Sequence, residues 1–209
     1  MRSGSARGTG WTCSSTVRSD VVGAASDHRG MRETAQELAA LAQLIDASFA
    51  AASAHLRGIM APERRLSAEQ IVADIPSPAL LNLATVTARG EPRLSAVDGH
   101  FLHGRWYFTT AGDSPKARHV AARPAVSASY TPRDGYGIFC HGDARLLDGR
   151  DRQELIEHCT SVYGRSPETF GEGVAYVRID PTWLVGFAFS EEEMAAFAKE
   201  REELTAGPG

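Results

Sequence analysis

Lysine is nearly missing from this chain. Only Lys116 and Lys199 stand among 22 basic residues, and the rest are arginine. Together with abundant alanine and glycine, this looks like the coding bias of a GC-rich genome. Basic charge is not in excess either: 26 acidic residues leave a formal net charge of −4. That balance argues against a nucleic-acid partner, because no surplus of cations is present to neutralise phosphates, and a local basic patch would have to be shown. Cysteine is scarce. Cys13, Cys140 and Cys159 are too few and too scattered for a disulfide framework. No C-x-x-C occurs, so a zinc ribbon or a thioredoxin-type motif lacks support, and a reducing, cytoplasmic compartment is expected. No apolar run approaches the length of a membrane span, so no membrane partner is expected. Arg2, Arg7 and Arg18 are not followed by a continuous apolar stretch, so the N-terminus does not read as a signal peptide. No G-x-S-x-G elbow or H-E-x-x-H helix appears, which leaves hydrolase and zinc-protease chemistry without a basis. No internal repeat is evident.

What is present fits one domain with extensions: 209 residues, 43% apolar and 23% charged. Residues 1–30 are rich in Gly, Ser, Thr and Arg without periodicity, so they are expected to be disordered. Met31 directly precedes the first periodic segment, and the residues before it read either as an upstream misassigned start or as a short extension. From there Leu38, Leu41, Ile45, Phe49, Ala52, Leu56 and Ile59 recur at three- and four-residue steps, which predicts one long amphipathic helix over 31–59. A second helix starts at Ser67, where Ser67 and Gln70 have capping-box spacing and Leu66 and Ile71 the staple positions; Pro76 and Pro78 stop it. The helical part is thus 31–76.

Strand signals follow over 79–87, 93–102, 105–110, 125–130, 136–147, 174–179 and 182–189. Helices are expected at 115–122, capped by Ser114 with Pro115 at its first position, and at 151–163, closed by Gly164. An acidic, helix-prone tail occupies 191–209, ending on Gly207-Pro208-Gly209. Antiparallel strands joined by short turns, with helical insertions, predict a mainly β fold with α additions: a small barrel over 77–190.

The stretch from Ala84 to Asp148 carries the most information. A strand ends in Thr, a G-x-P-R turn comes next, then a second strand with Ser, then Y-F-T-T, S-x-K-A-R and R-P-x-V-S in that order. This order resembles the pyridoxamine 5′-phosphate oxidase-like split β-barrels and covers about a third of the chain. The resemblance implies an antiparallel split β-barrel preceded by an amphipathic helix and working as a homodimer. It also implies an FMN cofactor held between two subunits. By the same resemblance Arg93, Leu94, Ser95, Ala96, Val97 and Asp98 run beside the flavin, Thr109 and Thr110 end the third strand, and Ser114 and Lys116 open a helix that takes the phosphate.

Chemistry supports the last assignment independently. A capped helix start has N–H groups and a dipole that favour an anion, and Ser and Lys add converging donors. Lys116 is suggestive in a chain that otherwise uses arginine, since a flexible ammonium differs in kind from a planar guanidinium. Outside the motif order, Lys116 and Arg93 read as solvated surface charges, and Thr109 and Thr110 as ordinary strand residues.

Departures from the family pattern narrow the activity that the resemblance implies. Pro115 stands where many relatives have arginine, Asp98 where genuine pyridoxamine phosphate oxidases have lysine, and Gly137 near their flavin-contacting glutamine. Their C-terminal R-x-H signature is also absent, so oxidation of pyridoxamine 5′-phosphate itself is not implied.

The reading is therefore a flavin-dependent oxidoreductase acting on an unknown small molecule, with no catalytic acid or base and no metal nominated. One alternative keeps the fold and uses the deazaflavin coenzyme F-420, with Arg118, Arg123 and Arg145 as possible donors to its longer tail. Another is a non-enzymatic flavin- or haem-binding protein. For haem, His100, His103, His119 and His141 are the candidates, though a lone strand histidine is more often structural. Cys140 reads as an inert core thiol, and Trp106, Tyr107 and Trp183 as core or interface aromatics.

Overall fold

The computed structural model describes residues 33–171 and 173–206. The expected disordered segment 1–30 and the closing Gly207-Pro208-Gly209 lie outside the described residues. Six strands form a closed barrel: β1 (Ala79–Val86), β2 (Pro92–Leu102), β3 (Arg105–Ala111), β4 (Ala125–Tyr130), β5 (Tyr136–Leu146) and β6 (Val174–Ala188). Their order around the barrel is β1-β2-β3-β6-β5-β4 and every pairing is antiparallel. The period-2 pattern explains the closure. In β1, Ala79, Leu81, Leu83 and Thr85 face inward, while Leu80, Asn82 and Ala84 face out. Leu81, Leu83, Trp106, Phe108, Ile138 and Ile179 are fully buried, each worth about 1.5–3 kcal/mol of burial.

Helices dress the barrel. α1 (Ala35–Ala51) has a complete capping box between Thr34 and Glu37 and buries Leu41, Ile45 and Phe49. It packs on β6, whose second half runs beyond the reach of β3. The open edge there is satisfied by other groups: the Leu184 N–H donates to Ser48 Oγ at 2.9 Å, and the Leu66 N–H to the Gly186 carbonyl at 3.0 Å. α3 (Ala68–Asp74) starts at Ser67 with the capping box expected from its sequence. α4 (Pro115–Ala122) joins β3 to β4, α5 (Gly149–Tyr163) follows β5 and ends at Gly164 in the left-handed region, and α6 (Glu191–Ala206) closes the described chain.

Two expectations need correction. The helix expected over 31–59 is broken: α1 stops at Ala51, Ala52 is extended, and α2 (Ala54–Ile59) starts afresh at Ser53. Ser53 Oγ accepts the Leu56 N–H at 3.2 Å, so a cap hidden within the apolar periodicity restarts the helix. The two strands expected at 174–179 and 182–189 are one, β6, passing through Asp180 and Pro181. A register shift between His141 and Gly142 absorbs the proline. Gly142 is required there, because a Cβ would collide with the Asp180 carbonyl.

The β2–β3 turn has positive φ at both His103 and Gly104, 55° and 71°. His103 is an unusual residue for that geometry, and two carboxylates hold it. Buried Glu33 accepts its N–H at 2.8 Å, and Glu37 pairs with its ring at 3.1 Å.

Candidate functional site

The start of α4 concentrates positive potential. Ser114 is the N-cap and accepts the Ala117 N–H at 3.2 Å, while Thr110 Oγ1 lies 3.2 Å from the same hydroxyl. Pro115 and Lys116 occupy the first helical positions, and the first turn has no acidic residue. α1, α3 and α6 each carry glutamate there. A cation at a helix N-terminus opposes the macrodipole, and among the described residues no carboxylate pairs with Lys116. Lys116, carried on the first turn that Ser114 caps, adds to the Ser114 and Thr110 hydroxyls a cation of the kind an anionic oxygen group would need. α4 is fastened to the barrel by His119, whose Nδ1 lies 2.9 Å from Oγ1 of buried Thr85.

The remaining sequence-predicted residues fall into two sets. On β2, Leu94, Ala96 and Asp98 share the outer face and pair with Ala84, Asn82 and Leu80 of β1. Arg93, Ser95 and Val97 alternate with them and pair with Thr85, Leu83 and Leu81. Leu94 is 73% exposed and Leu80 66%, so the outer face carries an uncovered apolar stripe with Asp98 at one end. Arg93 ion-pairs with Glu91 at 2.8 Å in the turn before its own strand, and no hydrogen bond or ion pair joins it to Ser114 or Lys116 among the described residues. Thr109 and Thr110 point to opposite faces of β3, so only Thr110 reaches Ser114.

The other end of the β2 outer face holds a polar cluster that sequence reasoning missed. His100, 1% exposed, lies under α5. Its Nδ1 is 2.9 Å from Ser77 Oγ and 3.1 Å from His158 Nε2, and Ser77 Oγ is itself 3.1 Å from His158 Nε2. Its Nε2 is 3.2 Å from the Tyr163 hydroxyl and 3.7 Å from Cys159 Sγ. Tyr163 in turn donates to Asp98 Oδ2 at 3.2 Å. Burial, and then the Asp98 carboxylate, push the Tyr163 phenol well above its ordinary range and Cys159 up to about 11, so both stay protonated at neutral pH. A signal for this cluster exists: His158 falls on the same helical stripe as Leu155 and Cys159, a polar group among residues selected for burial.

The sequence profile of the pyridoxamine 5′-phosphate oxidase family matches residues 67–188, more than half of the chain. The chain belongs to that family. No protein of curated function matches it. Among solved structures, a conserved hypothetical protein, Rv2991, from Mycobacterium tuberculosis aligns over 62% of this chain and 89% of its own, at 18% identity and a TM-score of 0.53. An FAD-binding protein from Mesorhizobium loti aligns over 61% of this chain and 97% of its own, at 20% identity and a TM-score of 0.51. At such identities these likenesses establish the fold alone. The profile of the pyridoxamine 5′-phosphate oxidase family spans α3 and all six strands.

Each of the four histidines weighed for haem already has a protein partner. His100 has the cluster above, His103 has Glu37, and His119 has Thr85. His141 bonds Ser127 at 2.8 Å and stacks on Trp183 at 4.7 Å. Among the described residues no group of three or more His, Cys, Asp or Glu is placed to hold a metal ion. Cys140 is buried and pushed up to about 12 by that burial, as an inert core thiol should be. None of the described helices is long and apolar enough to cross a membrane.

Proposed function

We propose that this chain is a flavin-dependent oxidoreductase of the pyridoxamine 5′-phosphate oxidase family that binds FMN along the outer face of β2. The observation that carries the reading is the start of α4. There the Ser114 and Thr110 hydroxyls meet at a helix N-terminus whose first turn carries Lys116 and no acid. A phosphate supplies the missing anion. The family membership, and the FAD-binding name of the Mesorhizobium relative, support a flavin as the group attached to it.

Bound there, a flavin supplies two-electron hydride chemistry to a small-molecule substrate. The protein's part is positional. Ser114, Lys116 and Thr110 would hold the phosphate, and the flat surface of Leu94, Ala96 and Asp98 would carry the ring. Arg93, held by Glu91, would contribute to the local potential more than to a direct bond. That surface provides one wall only. We infer that a second copy of the chain supplies the other, covering Leu80 and Leu94 and making the protein a homodimer with the site at its interface. With Asp98 where the oxidases of pyridoxamine 5′-phosphate have lysine, and without their C-terminal R-x-H signature, we infer a different substrate.

Absorption spectra of the purified protein titrated with FMN, coenzyme F-420 and haemin test this directly, since each chromophore is distinct. Saturable binding of FMN in preference to the other two is the expected result. Preference for the deazaflavin would keep the site and change the cofactor, and binding of haemin alone would overturn the reading.

A further inference from the structure

We propose that Asp98, Tyr163, His100 and His158 form a proton relay that links solvent at Ser77 to a carboxylate on the outer face of β2. Only the identity of what stands over Asp98 depends on the flavin reading. The four side chains form one unbroken line with contacts of 3.1–3.2 Å: His158 Nε2 to His100 Nδ1, His100 Nε2 to the Tyr163 hydroxyl, and that hydroxyl to Asp98 Oδ2. They come from two elements, β2 and α5, and the line closes only because α5 lies across the β2 outer face. Ser77, an exposed residue, touches both imidazoles. Asp98 is exposed at the other end. The two imidazoles are sealed, with His100 at 1% and His158 at 8% exposure, and Tyr163 is half-buried.

The direction of the bonds is set by the acceptor at the end. Tyr163 donates to Asp98 Oδ2, so its oxygen accepts from His100 Nε2–H. His100 then presents an unprotonated Nδ1 to His158 Nε2–H or the Ser77 hydroxyl. Starting from His158 as imidazolium and Asp98 as carboxylate, one proton moves without any atom travelling far. His158 Nε2 gives its proton to His100 Nδ1, His100 Nε2 gives its proton to Tyr163, and Tyr163 gives its proton to Asp98. The products are two neutral imidazoles, a neutral phenol and a carboxylic acid, so charge and protons balance. Asp98 can then hand its proton to an anionic group lying against β2, and His158 is recharged at the Ser77 end. Ser77, Asp98, Cys159 and Tyr163 are among the groups around the imidazole pair; Cys159, at 3.7 Å from His100 Nε2, offers only a weak sulfur alternative to the phenol. A cluster serving packing alone has no need of a polarised line ending on an exposed carboxylate.

The test is a histidine titration by NMR on the full chain without FMN, following the imidazole C–H signals. Asp98→Asn should weaken proton binding at His158 about three- to tenfold, and the same substitution in a Tyr163→Phe background should change it by less than half as much. His119, bonded to Thr85 outside the relay, should not move. An equal change with and without the Tyr163 hydroxyl, or no change at His158, would overturn the relay. If Tyr163→Phe fails to fold, Asp98→Asn is followed in molar salt as well: a His158 change that persists there supports coupling through the bonded line, and one that screening abolishes overturns it. Because FMN is absent from this experiment, failure of FMN to bind would sink the flavin reading and leave the relay standing, and the converse also holds.

Discussion

The start of α4 and the α5 side of the β2 outer face solve opposite problems. Near α4, charge is gathered and left uncompensated: Lys116 has no carboxylate among the described residues and the helix start adds its own positive end. Under α5, polar groups are gathered and satisfied by one another, with His100, His158, Ser77, Tyr163 and Asp98 closed into a bonded network. In the reading proposed above the first arrangement awaits a ligand, whereas members of the second already bond one another. A site built to bind should therefore tolerate mutation in stability and lose affinity, whereas a site built to hold protons should lose stability first.

The largest effect should come from breaking the closed end. His100→Leu removes the imidazole that bonds Ser77, His158 and Tyr163 at once, and unfolding in urea should show a loss of about 3 kcal/mol or more. A loss under about 1 kcal/mol would mean that the network rearranges freely and is not a fixed structure.

Alkaline pH should act on the same region. Cys159 and Tyr163, with Cys140 and Tyr136 elsewhere in the core, all hold their protons to higher pH than in the unfolded chain. The unfolded state therefore binds fewer protons once pH passes about 9. Stability is full below that value and falls as pH rises toward the folded values of about 11 for Cys159 and about 12 for Cys140. A pKa that folding raises tenfold in proton affinity contributes about 1.4 kcal/mol at most. Unfolding free energies measured from about pH 7 to 11 should show the fall, and Cys140→Ala should flatten it.

At the open end, Lys116→Ala should leave the unfolding free energy within about 0.5 kcal/mol of the parent. It should weaken FMN binding about ten- to a hundredfold, the loss of one charge-assisted hydrogen bond. Riboflavin, lacking the phosphate, should be much less affected. Equal losses for both ligands would show general damage to the fold. Arg93→Ala should have the smallest effect, because the Glu91 ion pair it breaks is exposed and worth at most about 1 kcal/mol. A loss of FMN affinity as large as that of Lys116→Ala would place Arg93 on the phosphate directly.

Legibility in the sequence divides along the same line between local and distant contacts. α4 is legible residue by residue, since Ser114 and Pro115 are local signals that specify a helix start whatever surrounds them. β4, at Ala125–Tyr130, is legible too, because alternation is enforced by the barrel interior. Ser53 is not, because it sits inside an apolar periodicity that continues through it. β6 reads as two strands because Pro181 forbids a ladder bond, and only the bulge at His141 and Gly142 on a distant strand makes room for it. The Ser77, His100 and His158 cluster joins residues 23, 58 and 81 positions apart, a separation that no local pattern encodes. At the candidate site the sequence locates Ser114 and Lys116 together, but it does not reveal that Glu91 engages Arg93 or that Thr109 turns away from Ser114.

The turn between β2 and β3 offers a built-in gauge of the helical dressing. An amide at the tip of a two-residue hairpin normally exchanges with solvent as fast as an open chain, but the His103 N–H is held by the Glu33 carboxylate, two residues before α1. Its exchange in deuterated water therefore reports whether the segment leading into α1 is seated on the barrel, while the amides within the strands report the barrel itself. One deuterium-sensitive position thus separates peeling of the N-terminal helix from opening of the core.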